Sequence, residues 1–222
     1  MKYSAIAFDL DGTLYPDIRL FVRLVPFFLK EMNLLRALNE ARMHLRNTGA
    51  YEGDFYETQA RLMGEILNQS PERVKEKTER LIYRGWEPFF KEIKLFPHVR
   101  ETLDCFRQKG IKMGLLSDFP PEKKLENLRI AGYWDAVVCS EKTGRLKPDT
   151  LPFIELAGEM GAAPEEILYV GNSVRYDVMG ARKTGMKTAL IRTGIFERIF
   201  KPSSLPDFTF FDYRQLRDYV LD

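Results

Sequence analysis

Phe8-Asp9-Leu10-Asp11-Gly12-Thr13-Leu14 follows the short apolar run Ala5-Ile6-Ala7 near the start of a 222-residue chain. An apolar run that ends in turn residues reads as a buried strand stopping at Asp9. The two-residue period of a strand aims Asp9 and Asp11 toward the same side, and Gly12 lets the backbone turn sharply behind them. Two carboxylates this close repel each other, which points to a cation between them or to one carboxyl held protonated. A polar loop closing the strand, with Asp11 in an Asx-turn ahead of Gly12, accounts for the same residues. The segment alone leaves both readings open.

Downstream, from about Tyr15 to Glu92, no strand pattern is present. Leu34, Leu38, Ala41 and Leu45 share one helical face, as do Phe55, Leu62 and Ile66 with Met63 and Leu67 beside them. Ser70-Pro71-Glu72 opens a further helix, with serine as N-cap, proline at the first helical position and an acid in the first turn. The stretch reads as a small bundle of about four helices.

From Lys94 onward helix and strand alternate. A stripe of Val99, Leu103 and Phe106 ends at Gly110. The strand Lys112-Met113-Gly114-Leu115-Leu116 ends at Ser117-Asp118, and Pro121-Glu122 starts the next helix. Ala136-Val137-Val138-Cys139 is a third strand, and a loop through Lys147-Pro148-Asp149 leads to a helix with Phe153, Leu156 and Met160. A fourth strand, 167–170, breaks at Gly171-Asn172-Ser173. After it come a helix with Val178 and Ala181, a strand at 188–191, an edge-strand candidate at Phe208-Thr209-Phe210 and a last helix. This alternation predicts an α/β fold, a Rossmann-like doubly wound parallel sheet with helices on both faces. The helical block at 15–92 is inserted after the first strand, so the expected core is discontinuous, 1–14 with 93–222, and the insert can cover the carboxyl edge as a lid. Ligands of such sheets bind at that edge.

Composition removes several function classes. A formal charge of +2 with no long single-sign block argues against nucleic acid or an anionic membrane surface. The apolar segment from Leu20 to Leu29 is broken by Arg23 and Pro26 and is half the length a bilayer needs. Cys105 and Cys139 lack metal-ligand spacing and read as buried free thiols, as in a reducing compartment. The opening apolar run is too short for a signal peptide, so a cytoplasmic protein, monomer or homodimer, is expected. No phosphate-loop or dinucleotide fingerprint occurs.

Just past the carboxyl ends of successive strands lie Asp9 and Asp11, Ser117 and Asp118, Lys147, and Asn172 with Asp177. Together they supply a nucleophile, an acid/base, a hydroxyl donor, a cation and hard oxygen ligands. Phosphoryl transfer needs these parts, because its transition state spreads negative charge over three oxygens. Carboxylate attack on a phosphate dianion calls for a hard dication, most plausibly Mg²⁺.

Asp9-Leu10-Asp11-Gly12-Thr13, Leu115-Leu116-Ser117, Lys147-Pro148-Asp149 and Gly171-Asn172-Ser173 through Asp177 resemble, in order, the four motifs of the haloacid dehalogenase-like hydrolase superfamily. The helical insert resembles its C1 cap. The resemblance implies a Mg²⁺-dependent phosphatase of a small phosphorylated metabolite. Asp9 would be the nucleophile forming an aspartyl-phosphate, and Asp11 the general acid and then base. Gly12, Thr13, Ser117, the Asp118 amide and Lys147 would bind the phosphoryl group. Asp9, the Asp11 carbonyl, Asn172 and Asp177 would hold the metal. The chain departs from the family pattern at Asn172, where an aspartate is usual, so weaker Mg²⁺ binding is expected. Dehalogenases of the superfamily lack the second aspartate that Asp11 supplies here. A phosphomutase would share every core residue, and a non-catalytic binding protein would follow if Asn172 had cost the metal.

Other features carry less. His44 and His98 read as surface or capping residues. Phe21, Phe27 and Phe28 read as the interior of the helical insert or its interface with the core. Arg19, Arg23, Arg42 and Arg46 read as a solvated helix face, with recognition of an anionic substrate as the alternative.

Overall fold

The computed structural model describes residues 3–16, 25, 27, 29–49, 53–192 and 204–222. Arg19, Phe21, Arg23 and Phe28, named above, lie outside the described residues. Among the described residues, β1 (Ala5–Phe8) is followed by α1 (Met32–Thr48), α2 (Phe55–Leu67), α3 (Pro71–Thr78) and α4 (Glu87–Phe90). A wider turn, Glu79–Tyr83, continues α3. Then come α5 (Val99–Gln108), β2 (Lys112–Ser117), α6 (Glu122–Asn127), β3 (Ala136–Cys139), α7 (Leu151–Met160) and β4 (Ile167–Gly171). The turn Val174–Val178 leads into α8 (Met179–Lys183), then β5 (Lys187–Ile191), β6 (Phe208–Phe210) and α9 (Tyr213–Leu221).

The six strands form one parallel sheet in the order β3-β2-β1-β4-β5-β6. The chain steps outward from β1 to β3, then returns to β4 on the other side of β1. The strand order therefore reverses between β1 and β4, which places the ligand crevice at their carboxyl ends.

All of β1 is buried because helices cover both faces of the sheet. Ile6 and Phe8 face a cluster with Val99, Leu103, Phe106, Tyr213 and Leu216 from α5 and α9. Ala5 and Ala7 face the opposite cluster, where Phe153, Leu156 and Tyr169 supply the bulk that alanine leaves free. The helical insert has an interior of its own, built from Leu34, Leu38, Ala41, Met63, Val74 and Ile82. Phe27 packs at this interior, edge-on to Trp86 at 6.1 Å.

Two expectations need correction. On α2 the buried face runs through Phe55, Gln59 and Met63, while Ile66 is 45% exposed. Leu62 and Leu67 still pack partly buried against the interior of the insert, so the expected face fails at Ile66. Cys105 is only half-buried; Cys139 is buried, and burial pushes its thiol up to about 12.

Gly171 ends β4 where the backbone passes close beneath Asp177. A Cβ there would lie 2.4 Å from the Asp177 Cβ. Gly171→Ala should therefore lose about 1–3 kcal/mol of stability. Urea unfolding checks this: the midpoint should fall with little change in slope, and an unaltered midpoint would contradict the close approach.

Candidate active site

The Asp9 N–H donates to the Val170 carbonyl at 2.9 Å, extending the β1–β4 ladder by one residue. Strand register thus delivers Asp9 into the crevice. Its carboxylate is nearly buried and held at both oxygens: Lys147 Nζ donates to Oδ1 at 2.6 Å and Thr13 Oγ1 to Oδ2 at 2.6 Å. Gly12, at φ +79°, makes the turn that brings Thr13 back toward Asp9.

The same Lys147 ammonium donates to Asp177 Oδ1 at 2.7 Å, and the Ser173 N–H donates to Asp177 Oδ2 at 3.0 Å. The Tyr169 hydroxyl lies 3.4 Å from both Lys147 Nζ and Asp177 Oδ1. Burial pushes the Asp9 carboxyl up to about 7, with Lys147 opposing the shift and the charge of Asp177 adding to it. Burial would lower the Lys147 ammonium, but Asp177 and Asp9 hold it well above its usual value. Two carboxylates face one ammonium, so a buried negative charge is left over.

Asp11 turns the other way. Lys124 Nζ, from α6, donates to both Asp11 oxygens at 2.7 Å, and the Tyr15 hydroxyl donates to Oδ1. Ser117 ends β2 fully buried, its Oγ accepting the Phe119 N–H at 3.3 Å. Asn172 is exposed, one residue beyond β4. Asp9, Thr13, Lys147 and Asp177 thus form one bonded cluster. Ser117 and Asp11 stand at the same strand edge with partners of their own.

The Asp118 carboxylate faces α1. Arg46 donates to Oδ2 at 2.6 Å, Arg42 approaches it at 3.8 Å, and Oδ1 accepts the Ser140 hydroxyl at 2.5 Å and the Lys147 N–H at 3.2 Å. Burial would raise this carboxyl, but Lys147, Arg42 and Arg46 hold it at about 2. Arg46 Nε also donates to the Lys147 carbonyl at 2.9 Å, and its guanidinium lies 4.6 Å from the Tyr176 ring centroid. The Arg46–Asp118 pair therefore grips the Lys147 backbone at both its N–H and its C=O.

Arg42 and Arg46 correct the expectation of a solvated face. Arg42 is buried, ion-paired with Glu141, whose Oε1 also accepts the Tyr83 hydroxyl at 3.0 Å. His98 starts α5 in the left-handed region, bonded to Glu101, and His44 is exposed. Sequence reasoning missed Lys124, Tyr15, Tyr169 and Glu141. Tyr169 had a usable signal, since a tyrosine in a buried strand needs a partner for its hydroxyl. Lys124 had none: Glu122-Lys123-Lys124 reads like any charged helix turn.

Among the described residues no three His, Cys, Asp or Glu side chains converge as a metal cluster. The donors present still suit a hard cation. Asp9 and Asp177 offer carboxylate oxygens, the donors a hard cation prefers, and share one ammonium between them.

Comparison with known proteins places this arrangement in a family. The family model for haloacid dehalogenase-like hydrolases matches residues 3–185, and the chain belongs to that family. The chain is 30% identical to a glyceraldehyde 3-phosphate phosphatase of Methanopyrus kandleri, over 98% of this chain and 97% of that one. It is 28% identical to a phosphoglycolate phosphatase of Haemophilus influenzae, over 97% of each. Among solved structures, the L-2-haloacid dehalogenase of Xanthobacter autotrophicus with chloropropionic acid covalently bound shares the fold. Its TM-score is 0.69 at 17% identity, covering 99% of this chain and 98% of that one.

The Arg46–Asp118 pair should be energetically coupled. In a double-mutant cycle of Arg46→Met and Asp118→Asn read by urea unfolding, we expect a coupling of about 0.5–3 kcal/mol. Strict additivity would mean that the contact contributes nothing.

Proposed function

We propose that the chain is a Mg²⁺-dependent phosphatase of a small phosphorylated metabolite, acting through an aspartyl-phosphate on Asp9. The observation that carries this reading is the Lys147 ammonium bridging Asp9 and Asp177 at the strand-order reversal, with Asp11 two residues beyond Asp9. The phosphatase names of the two curated relatives support it.

In this mechanism an Asp9 carboxylate oxygen attacks phosphorus, and the bond from phosphorus to the ester oxygen breaks. Asp11 gives its proton to the departing alcohol. Water then attacks the phosphorus of the aspartyl-phosphate, Asp11 takes its proton, and phosphate leaves with Asp9 restored. Lys124 covers both Asp11 oxygens, so it must draw back from one of them for Asp11 to exchange protons with substrate. Lys147, Ser117 and the Asp118 amide would carry the charge of the transferred group. Thr13 is already committed to Asp9, so its part is to orient the nucleophile. Asp9, the Asp11 carbonyl, Asn172 and Asp177 would hold Mg²⁺, which when bound supplies charge neutralisation at the phosphoryl oxygens.

We further propose that 15–92 is a C1-type cap over a core of 1–14 and 93–222, excluding bulk water during transfer. The separate interior of α1–α3 supports this division. Phe90, on the cap side of the boundary, packs into the core cluster and would anchor the hinge. Among the described residues no helix is long and apolar enough to cross a membrane.

Asp9→Asn should lower phosphate release from a phosphate monoester by at least about 1,000-fold, while chelation abolishes release until Mg²⁺ is restored. Persistent turnover in Asp9→Asn would remove the covalent mechanism. Asn172→Asp should tighten Mg²⁺ binding about tenfold or more by adding a formal charge to the ligand set. Titration calorimetry reads this directly, and unchanged affinity would take Asn172 out of the metal site.

A further inference from the structure

A cavity of about 1110 Å³ opens directly on Asp11, between the helices of the insert and the segment that follows β2. Its walls include Tyr56, Tyr83, Trp86, Phe90 and Phe119. Three of these rings stand in a row. Tyr56 and Tyr83 stand 5.9 Å apart, centroid to centroid, and Tyr83 and Phe119 6.0 Å. Lys124 Nζ lies 5.1 Å from the Phe90 centroid and 5.6 Å from that of Phe119, and Phe90 meets Tyr15, the partner of Asp11, at 6.5 Å. Farther out the lining is charged and mixed in sign: Glu57 pairs with Lys75 and Glu79 with Arg84, beside exposed Glu72 and Glu76.

This inference rests on the phosphatase reading and on Asp11 as the group that protonates the leaving alcohol. The alcohol oxygen must then sit at Asp11, and the rest of the alcohol extends into whatever space adjoins that residue. That space is far larger than a two- or three-carbon fragment requires. Its inner walls offer ring faces and edges, which favour an aromatic or heteroaromatic group. The one cation nearest Asp11, Lys124, is already engaged by it, so the inner end of the cavity selects by its rings and not by a free charge.

We propose that the cavity is a leaving-group site for a bulky, aromatic-bearing alcohol, with Tyr83 and Phe119 as specificity-determining residues. The chain's preferred substrate is then a phosphate monoester of that class, in contrast to the small molecules for which the two curated relatives are named.

The test compares ethyl phosphate with 2-phenylethyl phosphate, whose leaving alcohols are chemically alike at the reacting oxygen and differ by the ring. With Mg²⁺ present, kcat/KM should favour the phenylethyl ester by about 30-fold. Phe119→Ala and Tyr83→Ala should each reduce that ratio to about 5 or less. Hydrolysis of both esters at equal efficiency, or a ratio that both variants leave intact, overturns the leaving-group site while the phosphatase reading stands. Failure to hydrolyse either ester, in protein that binds Mg²⁺ and is folded, overturns the phosphatase reading and this inference with it.

Discussion

The structure depends on one buried ammonium. Lys147 Nζ sits between Asp9 and Asp177, with both carboxylates nearly inaccessible to water. An ion taken out of water at such a depth costs several kcal/mol, and only close, well-directed partners recover it. Removing Lys147 would leave two facing carboxylates with no cation between them inside the sheet edge, so the position of the lysine constrains both acids. This cluster requires three separate stretches of chain, from β1, from the loop after β3 and from beyond β4, to reach one point within hydrogen-bond tolerance.

That convergence is maintained from both layers of the molecule. The parallel sheet places Asp9 by extending the β1–β4 ladder and lets Asp177 approach because Gly171 has no side chain in the way. The insert contributes from above. Arg46 on α1 pairs with Asp118 and bonds the Lys147 carbonyl, while Leu45 packs with Leu146 one residue before Lys147. A helix inserted after β1 thus helps hold the loop that carries the buried cation. Positioning of Lys147 and docking of α1 are parts of the same set of contacts.

Legibility from sequence followed locality. The strands could be read from short apolar runs ending in turn residues, and Asp9, Ser117, Lys147 and Asp177 from their positions just beyond those runs. Edge placement needs only the rule that parallel strands share a carboxyl end. The partners that complete the site could not be read this way. Lys124, Arg42 and Arg46 sit on helices among other charges, where the local pattern of a buried ion pair matches that of a solvated face. Only the three-dimensional path of α1 and α6 shows Arg42 against Glu141, Arg46 against Asp118 and Lys124 against Asp11. Ile66 failed for a related reason: the helical period puts it on the same side as Leu62, and whether that side is covered depends on how far the neighbouring elements reach along α2.

Asn172 gains a physical meaning from the charge of the cluster. With asparagine there, the buried cluster holds two carboxylates and one ammonium, and burial together with the charge of Asp177 raises the Asp9 carboxyl to about 7 against the opposing pull of Lys147. A third carboxylate beside Gly171 would add repulsion to a group already short of positive charge, and the free protein would depend more on a bound cation to relieve it. On the proposed reading, the neutral residue would give up metal affinity and leave Lys147 a smaller negative charge to balance. Asn172 would then bear on the same buried lysine that Arg46 and Asp118 hold through its backbone.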